Sequence, residues 1–409
     1  MIYLYHFLTY FSILILNIVG LFNEKVKKGI EGRRFTFEKL KSNLPENNKT
    51  IWMHCASLGE YEQGVPVLEK LKLKFTNHQI VVSFFSPSGY EHKKNTDLAD
   101  VVVYLPWDTK KNASKFLNLI QPEIVVFVKY DLWPNYLNEI KRRKINAVLI
   151  SAVFRNNQPY FKWYGRFMAS SLFAFQHIFV QDYSSEELLK NINYSAITVI
   201  GDTRFDRVLA QLDQRNSIDV VAKFKGDHLC VVLGSTWPED DQLIFPTINS
   251  QVNVKYIIAP HNIKNSYISE IEKQLVVPYV RYSKMDVSKL KSAKVFILDT
   301  IGLLSKTYSY ADISYVGGAA GKTGLHNILE PAVFSCPIMI GKNYKKFPEA
   351  IQLIKLGGVI SIANKYEFDT YLMKLVNDQN LRSKIGSINK EFTETSKGAT
   401  NKIIKYFET

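Results

Sequence analysis

The segment Ile51-Trp-Met-His-Cys-Ala-Ser-Leu-Gly-Glu60 indicates the fold class of this chain, because it joins a strand-like run to a helix through a short loop. Residues 51–55 are mostly apolar and favour an extended backbone, which is typical of a strand buried on both faces. After the loop, apolar side chains recur at helical spacing at Val65, Leu68 and Leu71. Such a strand, loop and helix is the building unit of a parallel sheet.

The same alternation of strand and helix continues along the chain. Further strand-like runs lie at 80–85, 101–105, 124–128, 147–150, 178–180 and 197–200, and then at 229–233, 256–258, 295–298, 313–316, 338–340 and 359–362. We therefore predict an α/β fold with two doubly wound, Rossmann-like domains. Ligands of such sheets bind beyond the carboxyl ends of the strands, so the loops that follow strands are the places to search.

The predicted strands divide the chain into four parts. We expect a membrane anchor at 1–23, a basic linker at 24–48, a first domain at 49–205 and a second domain at 206–409. The last helix packs either within the second domain or back on the first.

Composition excludes several classes of protein. The chain has 409 residues, of which 46% are hydrophobic and 22% charged, so it can bury sizeable cores and is neither disordered nor fibrous. The three cysteines are odd in number and widely spaced, which argues against a disulfide framework or a zinc knuckle. A reducing compartment fits this cysteine usage.

Residues 2–22 contain no Lys, Arg, Asp or Glu and at helical rise reach about 30 Å, the thickness of a bilayer core. They predict an anchor that spans the membrane or is steeply embedded, with a buried core helix as the alternative. Tyr3, Tyr5 and Tyr10 suit the far interface of such an anchor. Basic residues follow the apolar run, namely Lys25, Lys27, Lys28, Arg33 and Arg34, which predicts that the folded body stays in the cytoplasm.

The formal net charge is +14, which permits an anionic membrane, a nucleic acid or only a solvated basic surface as its explanation. The predicted anchor favours the membrane.

Glu60 lies where the first predicted strand passes into its helix, and two interpretations stay open. In the functional one, Glu60 is a general base for a hydroxyl nucleophile and Gly59 leaves room for the substrate. In the other, Ser57-x-x-Glu60 is a capping box that only stabilises the helix start. His54 and Cys55 are interpreted as strand residues.

A glycine-rich loop follows the predicted strand at 313–316. Gly317-Gly-Ala-Ala-Gly-Lys-Thr-Gly324 leads to His326-Asn-Ile-Leu-Glu-Pro331, which predicts a helix with Pro331 in its first turn. Free N–H groups and a helix start favour an anion, so a phosphate or nucleotide site is predicted. A Walker A loop is rejected because the glycine spacing is one residue too short. Glu330 either binds a ribose diol or caps its helix with Asn327.

Two more loops end strands of the second half, at 234–241 and 259–262. Ser235 and Thr236 are candidate helix N-caps that could also hold an anion. No D-x-D motif occurs in the chain, which favours a metal-free site over a metal-held nucleotide diphosphate.

Taken together, these segments resemble a known family. The motifs that carry the resemblance are Ser57-Leu-Gly-Glu60, Ser86-Pro-Ser-Gly-Tyr-Glu91, Leu132-Trp-Pro-Asn135, Gly201-Asp-Thr-Arg-Phe-Asp206, Ser235-Thr236, Asp299-Thr-Ile-Gly302, Val316-Gly-Gly318 and His326-Asn-Ile-Leu-Glu-Pro331. In this order, and with the anchor, they resemble the 3-deoxy-D-manno-octulosonic acid (Kdo) transferases of lipopolysaccharide assembly over nearly the whole chain.

The resemblance implies a GT-B architecture with an interdomain cleft, and inversion at the anomeric carbon. It implies Glu60 as the catalytic base. The residues implied on the donor side are Ser235, Thr236, Pro260, His261, Gly317, Gly318, Lys322, Asn327 and Glu330, and the acceptor-side candidates are Ser57, Gly59, Ser86 and Asp131.

Two departures from the family pattern affect the implied site. Where members commonly have Glu-Thr-Glu before Leu-Trp-Pro-Asn, this chain has Lys129-Tyr-Asp131, so any role of the first acid is lost. Where they usually have Pro-Arg-His, this chain has Pro260-His261-Asn262. His261, Lys322 or Arg204 would then replace the phosphate-binding arginine.

The implied function is transfer of Kdo from CMP-Kdo to a lipid A precursor (lipid IVA) at the cytoplasmic face of the inner membrane. The implied enzyme uses no cofactor and no metal, and has no nucleic-acid partner. The alternatives are another GT-B nucleotide-sugar enzyme, either an epimerase or a UDP-sugar transferase, and a basic module that binds anionic lipid or RNA.

Overall fold

The computed structural model describes residues 2–45, 49–250 and 253–408. It divides into two compact units. The first contains the residues up to Arg207 together with those from Gly398 onward, and the second is Val208–Lys397.

Within the described residues, each unit is built on a seven-stranded, fully parallel sheet. The strands of the first unit are β1 Thr50–Cys55, β2 Gln79–Phe84, β3 Val101–Tyr104, β4 Pro122–Val128, β5 Asn146–Ala152, β6 His177–Val180 and β7 Ile197–Val199. Those of the second are β8 Cys230–Thr236, β9 Lys255–Pro260, β10 Tyr279–Arg281, β11 Val295–Ile297, β12 Ile313–Val316, β13 Ile338–Gly341 and β14 Val359–Ile362. The prediction of two doubly wound α/β domains is confirmed.

Helices connect the strands. In chain order they are α1 Ile2–Val19, α2 Glu24–Arg34, α3 Thr36–Asn43, α4 Leu58–Lys74, α5 Pro87–Lys93, α6 Lys110–Ile120, α7 Pro134–Arg143, α8 Arg166–Leu172, α9 Tyr183–Lys190, α10 Thr203–Ala210, α11 Asp219–Lys225, α12 Pro238–Ile248, α13 Asn265–Gln274, α14 Leu304–Thr307, α15 Leu329–Ala332, α16 Pro348–Leu356, α17 Lys365–Asn377, α18 Gln379–Thr395 and α19 Ala399–Tyr406.

Strand order reverses once in each sheet. The orders are β3-β2-β1-β4-β5-β6-β7 and β10-β11-β9-β8-β12-β13-β14. The reversal lies between β1 and β4 in the first sheet and between β8 and β12 in the second, which are the topological switch points of this fold class. The loops after these four strands are therefore the expected ligand-binding edges.

Both sheets are covered by apolar side chains on both faces, which explains why the strands read as continuous apolar runs. Every residue of β1 is buried, and so is every residue of β12. Strand β10 escaped the sequence prediction because its three residues, Tyr279, Val280 and Arg281, include one aromatic that is exposed and one charge.

The last helix, α19, belongs to the first unit. Ala399 and Ile403 are fully buried in the hydrophobic cluster that contains β1 and β2. The Asp206 carboxylate accepts the N–H groups of Gly398 and Thr400, each at 2.6 Å, and so fixes the start of this helix.

The expected basic linker is not a linker. Of residues 24–48, those at 46–48 lie outside the described residues, and most of the others form α2 and α3, whose Ile30 and Leu40 are buried. Arg33 is also buried and therefore does not contribute to an exposed basic flank.

The Arg33 guanidinium explains how α2 is held. It donates to the carbonyls of Leu105, Gly29 and Phe85, and its central carbon lies 4.3 Å from the Trp107 ring centre. Burial lowers the pKa of Arg33 to about 10, so the side chain stays charged at neutral pH.

Helix α1 has 18 residues instead of the 21 expected, and it is long and apolar enough to cross a membrane, with a mean hydropathy of 1.7. The expectation that Tyr5 lies at a far interface is wrong. Its hydroxyl donates to Asp108 of the first unit.

Replacing Arg33 by Met should lower the free energy of unfolding by about 2–4 kcal/mol, because buried carbonyls lose their donor. The midpoint of urea unfolding, followed by tryptophan fluorescence, measures this loss. Arg34→Met is the matched control because Arg34 is the exposed neighbour on the same helix, and its effect should stay within about 0.5 kcal/mol. Equal shifts for the two variants would contradict a structural role for Arg33.

Candidate active site

Glu60 lies at the carboxyl end of β1, in the first turn of α4. The capping-box interpretation is wrong, because the Ser57 side chain makes no hydrogen bond to the backbone of the helix. Instead, the Ser57 hydroxyl donates to Glu60 Oε2. The Glu60 side chain is half-buried, and Gly59 beside it is exposed. A Cβ added at Gly59 would have open space around it, with only Ser57 Oγ nearby, at 3.9 Å. Glu60 is thus a partly accessible carboxylate held by a hydroxyl.

A second carboxylate, Asp131, follows β4, the neighbour of β1 at the switch point. Its Oδ2 accepts the Trp133 indole N–H at 2.9 Å and lies 2.9 Å from His54 Nε2. The side chain is 26% exposed, so it also reaches solvent at this edge of the sheet. Burial raises the pKa of the Cys55 thiol, and the charges of Glu60 and Asp131 raise it further.

A buried relay orients Asp131. The Ser83 hydroxyl accepts the Trp52 indole N–H at 2.8 Å and lies 2.8 Å from His54 Nδ1. The Ser83 hydroxyl has a second lone pair as well as its own O–H, so it can pair with either tautomer of His54, and His54 Nε2 lies 3.0 Å from the Trp133 indole nitrogen. His54 Nε2 therefore contacts both Asp131 and Trp133.

Sequence reasoning missed this role of His54, which it interpreted as a strand residue only. A signal was present. His54 on β1 and Ser83 on β2 are polar residues within apolar strands, and they are direct partners in the strand register. Ser86, another acceptor-side candidate, caps α5 by accepting the N–H of Ser88 at 3.3 Å.

In the second unit, the ends of β8 and β12 approach closely at Gly317. A Cβ at Gly317 would lie 2.4 Å from the Ser235 carbonyl oxygen and 2.8 Å from Thr236 Cα, so only glycine fits. Gly318 has a φ of +94°, in the left-handed region that favours glycine. These two glycines let the loop turn against the end of β8.

Asp240 organises this loop, a role that the sequence did not reveal. It is buried and accepts the N–H groups of Gly318 at 2.8 Å and Trp237 at 2.9 Å, and the Tyr315 hydroxyl at 2.7 Å. The Gly317 N–H donates to the Gly234 carbonyl at 2.9 Å. The N–H groups of Gly317 and Gly318 are therefore both used within the protein and are not among the free N–H groups that the loop was expected to offer an anion.

The predicted helix after the loop is only the four-residue turn α15, with Pro331 as its third residue. So short a helix has little macrodipole, and the expected helix-end contribution is absent there. Asn327 Nδ2 donates to Glu330 Oε1 at 3.2 Å, and Asn327 Oδ1 accepts the Leu329 N–H at 3.2 Å. The Asn327 amide therefore links the turn to the Glu330 carboxylate.

Ser235 and Thr236 end β8 and do not cap a helix, so the N-cap interpretation is wrong. Helix α12 begins at Pro238, after Trp237, whose N–H is bound by Asp240. Thr236 is buried and Ser235 half-buried with a φ of +55°. A left-handed serine at the switch point indicates a backbone held in place by its surroundings.

Three rings lie together beyond the ends of β8, β9 and β12. The Trp237 and His261 ring centres are 4.5 Å apart, and those of His261 and His326 are 4.6 Å apart. The Trp237 indole N–H donates to His326 Nε2 at 3.1 Å. Burial, followed by the neighbouring His261, lowers the pKa of His326 to about 4, so His326 is neutral and can accept this hydrogen bond.

Most donor-side candidates therefore come together at one edge of the second sheet. Pro260 is buried at the end of β9, His261 is exposed after it, and Lys322 is exposed on the glycine-rich loop. Arg204 lies in the first unit, where its Nε donates to Asp202 Oδ2 at 2.8 Å. Among the residues that the structure describes, no group of three His, Cys, Asp or Glu side chains is placed to hold a metal ion.

Comparison with known proteins adds to this geometry. The family model described as 3-deoxy-D-manno-octulosonic-acid transferase matches residues 31–207. A 3-deoxy-D-manno-octulosonic acid transferase from Haemophilus influenzae is 24% identical, over 87% of this chain and 85% of its own. Over residues 31–207 the chain is thus similar to the Kdo transferase family, and it is similar to curated Kdo transferases along most of its length.

Another relative is a bifunctional glycosyltransferase/methyltransferase from Fusobacterium nucleatum, 26% identical over 85% of this chain. The chain spans 56% of the length of that larger protein. Among solved structures, UDP-GlcNAc 2-epimerase from Neisseria meningitidis aligns with a TM-score of 0.62 at 14% identity, covering 87% of this chain and 98% of the epimerase. This likeness shows the fold, and the GT-B class expected for a Kdo transferase is confirmed.

Asp241, next to the loop organiser Asp240, gives the second unit a pH dependence. Burial raises the pKa of Asp241 to about 7, and the nearby charges of Asp240 and Glu239 raise it too, while the hydroxyls of Tyr267 and Thr236 oppose the shift. The folded state then keeps a proton that the unfolded chain loses near pH 4. Stability therefore falls as pH rises from about 4 to 7.

In the parent protein, the free energy of unfolding should fall between pH 5 and pH 8 as Asp241 loses its proton. In Asp241→Asn this fall should be smaller by roughly 2–4 kcal/mol. Urea unfolding at both pH values measures it. The control is Asp227→Asn, an exposed aspartate of the same unit, which should leave the pH dependence as it is in the parent protein. An unchanged pH dependence in Asp241→Asn would refute the assignment.

Proposed function

We propose that this protein is an inverting, metal-independent glycosyltransferase that moves Kdo from CMP-Kdo to a lipid A precursor such as lipid IVA at the cytoplasmic face of the inner membrane. Similarity to the Kdo transferase family supports the transfer of Kdo. The observation that carries the proposal furthest is Glu60, a partly accessible carboxylate at the switch point of the first sheet.

In the proposed reaction, Glu60 takes the proton from a hydroxyl of the acceptor as that oxygen attacks the anomeric carbon of Kdo. The bond from this carbon to the phosphate oxygen of CMP breaks, and its electron pair leaves with the phosphate. The products are the glycoside, CMP and a protonated Glu60. Attack opposite the leaving group inverts the anomeric centre.

Asp131 is proposed to act beside Glu60 on the acceptor. It follows the strand next to β1, and one of its oxygens accepts the Trp133 N–H and lies 2.9 Å from His54 Nε2. A carboxylate fixed in this way can orient an acceptor hydroxyl toward the base.

The second unit is proposed to bind the donor through His261, Lys322, Asn327 and Glu330. Charge builds on the departing phosphate, and fixed cationic or N–H donors stabilise it without a metal. His261 takes the place of the family's arginine, supported by its stack on Trp237. Glu330 is proposed to accept from the ribose diol.

Glu60→Gln tests the base. It keeps the size of the side chain and should lower the transfer rate by about two to four orders of magnitude while leaving the melting temperature near that of the parent. The assay incubates the protein with CMP-Kdo and tetraacyl lipid A precursor and counts Kdo by product mass. Glu69→Gln is the matched control, since Glu69 is an exposed glutamate of the same helix. Equal activity of both variants would remove Glu60 from its role.

His261 tests the donor side. Loss of a charge-assisted hydrogen bond to phosphate is worth roughly 1.5–3 kcal/mol, so His261→Ala should weaken CMP binding by about tenfold or more. His261→Arg should retain binding, and calorimetry with CMP measures both. A panel of CMP, UDP and RNA separates the alternatives, because preference for UDP would favour the epimerase or UDP-sugar transferase and salt-sensitive RNA binding would favour the basic module.

A further inference from the structure

Helix α1 has two unlike faces. Tyr5, His6, Thr9 and Leu16 recur at helical spacing and are half-buried against the first unit. The outward face is apolar and exposed, and its largest members include Phe7, Phe11, Leu14 and Ile18. The inner face therefore carries the polar groups of Tyr5, His6 and Thr9 beside some apolar ones, and the outward face is mainly apolar, with Ser12 and Asn17 also exposed.

The amino-terminal half of α1 is hydrogen-bonded to the first unit. The Tyr5 hydroxyl donates to Asp108 Oδ2 at 2.5 Å, and His6 Nε2 lies 3.0 Å from Asn135 Oδ1. Asp108 is buried and also accepts the N–H groups of Asn135 at 3.1 Å and Tyr136 at 3.2 Å. The start of α1 is thus joined to the start of α7.

The carboxyl end of α1 contacts the same unit. Gly20 is buried, and a Cβ there would lie 2.8 Å from Ile30 Cδ1 of α2. Helix α2 is in turn held to the unit by the buried Arg33. Both ends of the helix therefore contact one folded body.

This arrangement is incompatible with a span. Eighteen residues at helical rise measure about 27 Å, close to the thickness of the hydrocarbon core, so a spanning α1 would put its two ends on opposite sides of the membrane. The bonds of Tyr5 and His6 would then break, and buried Asp108 would lose a donor.

A second exposed patch adjoins α1. The helical turn Trp163–Gly165 exposes 87% of Trp163 and 47% of Tyr164. It leads directly into α8, whose Phe167 ring centre lies 5.6 Å from that of Tyr5. Tryptophan and tyrosine favour the interface between headgroups and acyl chains.

Basic residues flank the same surface. Lys25, Lys27 and Lys28 are exposed at the start of α2, and Arg166 is exposed at the start of α8. Each such charge near an anionic surface contributes about 1 kcal/mol to binding.

We propose that α1 lies in the plane of one leaflet of an anionic bilayer, its outward face in the acyl boundary, with Trp163 and Tyr164 as a second contact. This deepens the proposed membrane association and rests on it, and it replaces the expected spanning or steeply embedded anchor. Because Asn135 joins α1 to the segment that carries Asp131, docking also fixes the height of the acceptor-side loop above the lipid.

Cross-linking tests whether α1 stays docked on the membrane. Thr9 and Lys110 line the same small cavity between α1 and the body, and the three native cysteines are buried. The Thr9→Cys/Lys110→Cys variant is bound to vesicles of phosphatidylethanolamine, phosphatidylglycerol and cardiolipin, floated, and treated with a short bismaleimide. The two single variants are the controls.

We expect an intramolecular cross-link in the floated fraction, at the yield found in detergent. Flotation with the cross-link lost would overturn the in-plane arrangement while leaving membrane association intact. Failure of the parent protein to float would instead refute membrane association itself. The parent's Kdo transfer assay reports separately on the proposed function.

The second contact has its own test. Trp163→Ala should weaken vesicle binding by roughly tenfold, since a large aromatic side chain leaves the interface. The matched control is Tyr366→Ala, an aromatic of the second unit that is 79% exposed, and its affinity should equal that of the parent. Equal affinities of the two variants for vesicles would show that Trp163 is not part of the membrane-binding surface.

Discussion

Within each sheet, the strands that the structure describes all run parallel to one another, and this constraint determines where chemistry can occur. Parallel strands bring all their carboxyl ends to one edge, and the reversal of order opens that edge beside β1 and β4 and beside β8 and β12. Glu60 and Asp131 follow the first pair of strands. Ser235 and Gly317 follow the second pair. The candidate residues are far apart in sequence, and topology alone makes them neighbours within each unit.

Buried aspartates then fix the loops that leave these edges. Asp240 gathers the N–H groups of Gly318 and Trp237 in the second unit, and Asp108 gathers those of Asn135 and Tyr136 in the first. Burial raises the pKa of both carboxyls, and the donated hydrogen bonds offset part of that cost. A loop held by such a carboxylate keeps its shape without a bound ligand.

Much of the fold could be predicted from the sequence, because strands buried on both faces are apolar along their whole length. The thirteen predicted runs are strands, and β10 was missed because it is short and partly polar. The helices α2 and α3 were missed for another reason. A count of charges in residues 24–48 does not reveal that one of them, Arg33, is buried against carbonyls and rings.

The site was predicted less completely than the fold, since side-chain partners are set by tertiary structure. Glu60 could be located from its position after a strand. The motif Ser57-x-x-Glu60 could not show that the Ser57 hydroxyl would bind the Glu60 carboxylate and not a backbone N–H of the helix. Likewise, the spacing of glycines after β12 could not show that Asp240 would take the N–H group of Gly318. His54 needed the strand register before its partner Ser83 became visible.

The return of α19 to the first unit has a consequence for biosynthesis. Its buried Ala399 and Ile403 belong to the core that contains β1, yet about 190 residues of the second unit are translated between them and the rest of that core. At 5–20 residues per second, the ribosome needs roughly 10–40 s to make that insert. During this interval α1 has already emerged from the ribosome, but the core of the first unit still lacks α19. The apolar side chains that α19 later covers are then exposed, so the nascent unit needs another way to keep them from aggregating.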